Sequence, residues 1–137
     1  MQGFFPDMTE EQANRISMLG LAHVGDGVYE LLTRSMLCQL GHTSVAELHT
    51  LTVKQVNAGA QAKAAAAILP MLSEAELRLY KRGRNAKVNS VPHNAHLGDY
   101  HSATALEALF GWLYLQGRID RVNQLFARIA EEMRDAT

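Results

Sequence analysis

From Ala105 to Leu115 the chain reads ALEALFGWLYL, a run in which nearly every side chain is apolar or aromatic. It has the length of a helix and no alternation of apolar and polar positions, so it is not a half-buried strand. A helix that is apolar on every side belongs in the interior, enclosed by other elements. Glu107 is the exception inside it. A buried, unpaired carboxylate costs several kcal/mol or shifts its pKa until it is neutral. Glu107 therefore needs a cation, a hydrogen-bonding partner or an exit to water.

The rest of the chain reads as helix almost throughout. Thr9 to Gln12, Ser44 to Glu47 and Ser73 to Glu76 each place a hydroxyl three residues before a Glu or Gln, the capping-box signature of a helix start. A first short helix is predicted over about Glu10 to Met18, with Gly20 only a weak interruption. The next, in LAHVGDGVYELLTRSMLCQL, ends at Gly41 as a C-cap. Residues 44–69 form one long or two shorter helices, closed by Pro70, and SEAELRLYKRGRN forms another. Residues 88–100, VNSVPHNAHLGDY, read as the one clear loop; helix resumes at about His101 and stops at Gly117. A last amphipathic helix spans about Ile119 to Met133, with Ile119, Val122, Leu125, Phe126 and Ile129 on one stripe. No segment alternates long enough to be a strand. The fold class is all-α, six or seven helices, in one domain over residues 1–137.

Bulk composition narrows the function classes. With 47% hydrophobic and 20% charged residues, the chain is an ordinary globular sequence. It has no apolar run long enough to span a membrane and its start lacks the pattern of a signal peptide, so a cytoplasmic location is expected. The single Cys38 excludes a disulfide framework or a multi-cysteine zinc site; in SMLCQL it is expected to be a buried structural thiol. Net charge is -1, from 13 Lys+Arg against 14 Asp+Glu, which does not announce a nucleic-acid binder. The distribution says more: KRGRNAK, residues 81–87, is cationic without an anion, while the acids cluster elsewhere.

Glu107 has a counterpart in Asp26, mid-helix in GLAHVGDGVYELL and flanked by Gly25 and Gly27. Asp and Gly both weaken a helix interior. Small neighbours let another backbone, or a ligand, approach an acid closely. One reading is a packing contact with Asp26 bonded to a hydroxyl or Arg. The other joins Asp26 to Glu107 across two mostly buried helices. Converging like charges demand a cation, and hard oxygen ligands suit Mg²⁺, with Mn²⁺ as a substitute. Such an ion beside a basic cluster points to phosphodiester chemistry.

These residues resemble a known family. LAHVGDGVYELL is similar to the signature helix of ribonuclease III domains, and TALEALFGWLYL to that family's second acidic helix. RGRNAK, VPHNA and HSATALEALFGWLYL together resemble one branch, the bacterial Mini-ribonuclease III enzymes, which lack a separate double-stranded-RNA-binding domain. The likeness runs from about Leu19 to Leu115, with its motifs in the expected order. It implies the ribonuclease III endonuclease fold, a homodimer, and metal-dependent cleavage of double-stranded RNA leaving 5′-phosphate and 3′-hydroxyl ends. It further implies maturation of the large-subunit (23S) ribosomal RNA precursor, with a ribosomal protein as a candidate partner on that substrate. By motif position Asp26 and Glu107 are the metal ligands and catalytic acids. Two acids common in the full-length family are missing, since Ala22 and Thr104 stand in their places. Phosphate oxygens and water would complete the coordination. Glu30 either orients a metal-bound water or is a salt-bridged acid.

A-form RNA is recognised by shape, through phosphates and 2′-hydroxyls. Arg82, Arg84 and Lys87 are the expected phosphate contacts, Asn85 a contact to sugar or backbone, and Lys63 an additional cation. His93, His96 and His101 lie close in sequence but lack the spacing of a zinc motif, so loop polarity or RNA contact is the plainer reading. Val24, Val28, Leu31 and Leu32 around Asp26 are candidates for the dimer seam. The alternative function is a non-catalytic ribonuclease III-like domain that binds structured RNA; retention of both acids argues against it.

Overall fold

The computed structural model describes residues 3–86 and 96–136. Among them are seven α-helices: α1 Glu10–Asn14, α2 Met18–Gln39, α3 Val45–Val56, α4 Ala58–Ile68, α5 Glu74–Arg84, α6 Leu97–Leu115 and α7 Ile119–Ala136. A 3₁₀ turn over Leu69–Met71 carries Pro70, and the described residues form no strand. The all-α expectation is borne out.

Helix starts follow the capping chemistry. Thr9 and Ser73 form complete capping boxes with Gln12 and Glu76. Ser44 accepts from the Glu47 amide, but the Glu47 carboxylate turns to the His42 ring instead of closing the box. The first helix is shorter than expected: it stops at Asn14, and α2 begins at Met18 with Ser17 as N-cap. Gly20 is therefore no interruption; its amide donates to Ser17 Oγ at 3.0 Å. Asn57 breaks 44–69 into two helices, its Oδ1 accepting from the Ala60 amide at 2.9 Å. Gly41 ends α2 with φ 105°. The amides of Gly41 and His42 return to Cys38 and Leu37, a left-handed closure that only glycine makes without strain.

Two expectations are corrected. α6 starts at Leu97, not His101, so Leu97 to Tyr100 are helical rather than loop. Asp99 favours this, since an acid in the first turn suits the positive helix end. Cys38 is exposed, not buried. Leu37 is the core-facing residue there, and Cys38 lies about 100° further round the helix.

α6 is the central helix. Every residue from Ala103 to Leu113 is buried except Glu107. Helices α1, α2, α4, α5 and α7 all pack on it. The α2–α6 crossing is unusually close. A Cβ added at Gly25 would lie 1.6 Å from the Glu107 carbonyl oxygen, and one at Gly111 would lie 2.0 Å from the Leu21 oxygen. The two backbones touch because both positions lack a side chain. On the other side Gly83 of α5 seats against Ala105 and Ala108. α7 covers the remainder through Val122, Leu125, Phe126, Ile129 and Met133. Its Arg121 is clamped to the buried Glu76 carboxylate by Nε and Nη2 at 2.8 and 2.7 Å.

Adding a methyl group at the crossing forces the helices apart, and overpacking of this kind costs about 3 kcal/mol or more. Gly25→Ala and Gly111→Ala are each expected to lower the urea midpoint severely. Gly98→Ala, whose Cβ meets nothing within 4 Å, is expected to be neutral. Equal stability of all three would contradict the backbone contact.

Candidate active site

The crossing places the two acids together. Gly25 rests on the Glu107 carbonyl, so Asp26, the next residue, emerges beside the Glu107 side chain. Asp26 itself is exposed and Glu107 half-buried, so the acids open to the surface although the helices that carry them are mostly buried. Glu107 is the outlet of an otherwise enclosed helix: it reaches the surface where Asp26 stands. Burial pushes its pKa from 4.5 up to about 8, and the charge of and hydrogen bond to Asp26 push in the same direction. Gln61 opposes this weakly, with Nε2 3.5 Å from Glu107 Oε2. No cation in the described part of the protein pairs with Glu107. The pair is an acidic cleft with unmet demand for positive charge.

Behind the acids lies Tyr29, one helical turn beyond Asp26 and fully buried. Its ring meets Phe110 and Phe126 edge to face at 5.5 and 5.8 Å. Its hydroxyl has no hydrogen-bond partner among the described residues. Burial raises its pKa, and the Glu107 charge adds to the rise. Glu30 pairs with Arg34 at 3.3 Å, the salt-bridged alternative of its two readings.

The other predicted site residues lie elsewhere. Arg82, Arg84 and Asn85 are exposed on the last turn of α5, where Asn85 is the C-cap. Arg82 and Arg84 form no ion pair among the described residues. Because Gly83 between them packs on Ala105 and Ala108, this basic end is tied to α6 within one turn of Glu107. Lys63 is exposed on α4 and lines a broad groove of about 1100 Å³ with Lys54, Asn57, Asp99 and Glu132, so its surroundings are of mixed charge. Lys87 and His93 lie outside the described residues. His96 is exposed, and His101 is half-buried with Nδ1 enclosed and unpartnered. Among the described residues no group of three or more His, Cys, Asp or Glu is placed to share an ion, so Asp26 and Glu107 stand as a two-carboxylate pair. Sequence reasoning missed Gln61, which is buried beside Glu107. Its signal was available: it is the one long uncharged polar residue in the alanine-rich AGAQAKAAAAI.

The family model of the ribonuclease III domain matches residues 19–118 of this all-helical chain. Mini-ribonuclease 3 of Thermoanaerobacter sp. (strain X514) is 38% identical over 138 residues, covering 96% of this chain and 97% of that one. Mini-ribonuclease 3 of Desulfitobacterium hafniense (strain Y51) is 43% identical over 114 residues, covering 83% and 72%. A crystal structure of a protein from Fusobacterium nucleatum superposes with a TM-score of 0.76 at 29% identity, covering 88% of this chain and 94% of the other. The chain belongs to the Mini-ribonuclease 3 branch of the ribonuclease III family.

The pKa rise of Glu107 makes a signed prediction. A folded-state value raised from 4.5 to about 8 contributes stability that is fully present below 4.5 and lost as pH rises through 8. In a chelator, urea unfolding of the native protein should show declining stability between these limits. Glu107→Gln, neutral at every pH, should lose that part of the slope. Identical pH profiles for the two proteins would rule out the buried-carboxylate account.

Proposed function

We propose that this protein is a divalent-metal-dependent endoribonuclease that cuts double-stranded RNA, leaving 5′-phosphate and 3′-hydroxyl ends. The observation that carries the reading is the apposition of Asp26 and Glu107 at the Gly25–Gly111 crossing. Two carboxylates with water completing the shell fit Mg²⁺, and Mn²⁺ takes the same donors. The fit is supported by the acidic pair's unmet demand for positive charge and by the buried, unpartnered Oε1 of Gln61 alongside. When bound, such an ion neutralises phosphate charge and acidifies a water. The protein's own contribution is to hold both acids on rigid helices, to bury Glu107 so that a cation favours its ionised form, and to exclude water behind them with Tyr29 and Phe110. Arg82, Arg84, Asn85 and Lys87 are the proposed phosphate and sugar contacts, with Lys63 as an outlying one. The natural duplex proposed, on the family likeness, is the precursor of the large-subunit ribosomal RNA, and a cytoplasmic location goes with that proposal. A ribosomal protein is the partner this substrate would bring. Among the described residues no helix is long and apolar enough to cross a membrane.

The test is cleavage of long duplex RNA with and without Mg²⁺. Asp26→Asn and Glu107→Gln are expected to abolish metal-dependent cutting while the variants remain folded. The double change of Arg82 and Arg84 to Ala should weaken binding on every duplex sequence and flatten its salt dependence. Duplex binding by the native protein without cleavage at any Mg²⁺ or Mn²⁺ concentration would refute the enzyme.

We further propose that the active form is a homodimer. Val24, Val28, Leu31 and Leu32 line an apolar groove of about 570 Å³ together with Phe4 and Phe5. Phe4 is 71% exposed, Phe5 61% and Leu31 52%. A contiguous apolar surface of this kind marks an interaction site, and a second copy offers the same face to it. Leu31→Glu places a charge in the groove without disturbing the core. It is expected to give a folded monomer by light scattering, whereas an unchanged dimer would move the interface elsewhere.

A further inference from the structure

Gln61 is only 2% exposed, in the first turns of α4. Its Nε2 donates to the Val56 carbonyl at 3.0 Å and towards Glu107 Oε2 at 3.5 Å. Its Oε1 is buried and accepts from no group among the described residues. A buried acceptor without a donor is destabilising. Capping the α3–α4 junction does not explain that cost. Asn57 already serves there, donating to Val53 and Lys54 carbonyls and accepting from the Ala60 amide. An apolar side chain in this helix would fill the same space with no orphaned oxygen. The free oxygen belongs to the same amide that touches Glu107, so it lies at the edge of the acidic pair.

We propose that Gln61 is a positioning residue of the ion site: its amide nitrogen holds the Glu107 carboxylate against Asp26, and its amide oxygen accepts from the hydration shell of the bound ion. The proposal rests on the reading of Asp26 and Glu107 as ligands. Mg²⁺ gives up its waters reluctantly and keeps several when carboxylates are few. An outer acceptor on a rigid helix orients those waters and fixes the ligand, and loss of such a partner typically weakens metal binding. With Ala22 and Thr104 where further acids could stand, a neutral third oxygen completes the pocket without adding repulsion between anions.

The experiment is Mn²⁺ binding to the RNA-free protein, read from the paramagnetic resonance signal of free Mn²⁺, for the native chain, Gln61→Met, Gln61→Glu and Asp26→Asn. Gln61→Met, which keeps the volume and loses the amide, is expected to raise the Mn²⁺ dissociation constant by about 10- to 100-fold. Gln61→Glu keeps an acceptor oxygen and should bind more tightly than Gln61→Met. If Gln61→Met does not fold, Gln61→Asn, which withdraws the amide by one methylene, takes its place with the same expectation. Native affinity in the Gln61 variants, with binding lost in Asp26→Asn, overturns the proposal and leaves the ion site standing. Native affinity in Asp26→Asn as well overturns the ion site on which it rests.

Discussion

The contact between the backbones of α2 and α6 governs the rest of the molecule. Glu107's carbonyl fills the space where a Gly25 side chain would be, and Leu21's carbonyl does the same at Gly111. The separation of the two acids is thus set by main chain against main chain, not by rotamers. Each helix gives up about 1 kcal/mol of intrinsic propensity at its glycine. In return α6 is enclosed closely enough to bury every residue from Ala103 to Leu113 except Glu107, with Thr104 as the one other polar side chain, its hydroxyl donating to the Tyr100 carbonyl. The same two glycines therefore place the core helix and the acidic pair.

Two buried or half-buried glutamates in this small protein meet opposite electrostatic fates. Glu76 is held by the Arg121 guanidinium and by Ser73, and these bonds pull its pKa down against the cost of burial. Glu107 faces another acid, and burial together with Asp26 pushes its pKa up. Glu76 is a closed structural clamp joining α5 to α7. Glu107 is an open demand for charge, the condition on which its proposed role as a metal ligand rests. The contrast matters because desolvation alone acts on both; the partner decides the sign.

The outline of this arrangement was legible in the sequence wherever one residue type carries one physical meaning. A single acid in ALEALFGWLYL required an outlet, and glycines around Asp26 implied a close neighbour. Gly25 meets that neighbour, whereas the space beside Gly27 is open. Complete or partial capping boxes marked three helix starts. Ser17 escaped because its box partner position is Gly20, which has an amide to donate but no side chain to return the bond. The start of α6 escaped because Gly98 and His96 resemble loop composition, while only Asp99 favours the helix. Cys38 was misplaced because apolar neighbours in sequence are not neighbours on a helix face. Gln61 could be suspected only from its isolation among alanines, since its partner Glu107 is 46 residues away.

The basic segment gains its significance from the same packing logic. Arg82 and Arg84 alone are an ordinary cationic helix end, suited to the dipole of α5. Gly83 between them changes this, since it lets α5 press directly on Ala105 and Ala108 of α6. The cations are thereby held at a fixed place relative to the helix that carries Glu107. On a protein of net charge -1, long-range attraction for a polyanion is weak, so proposed RNA contacts must act at short range. Fixed geometry is then worth more than added charge. A duplex phosphate held at the end of α5 and a phosphodiester at the acidic pair would be spaced by α6 itself, a rigid ruler buried on every side but one.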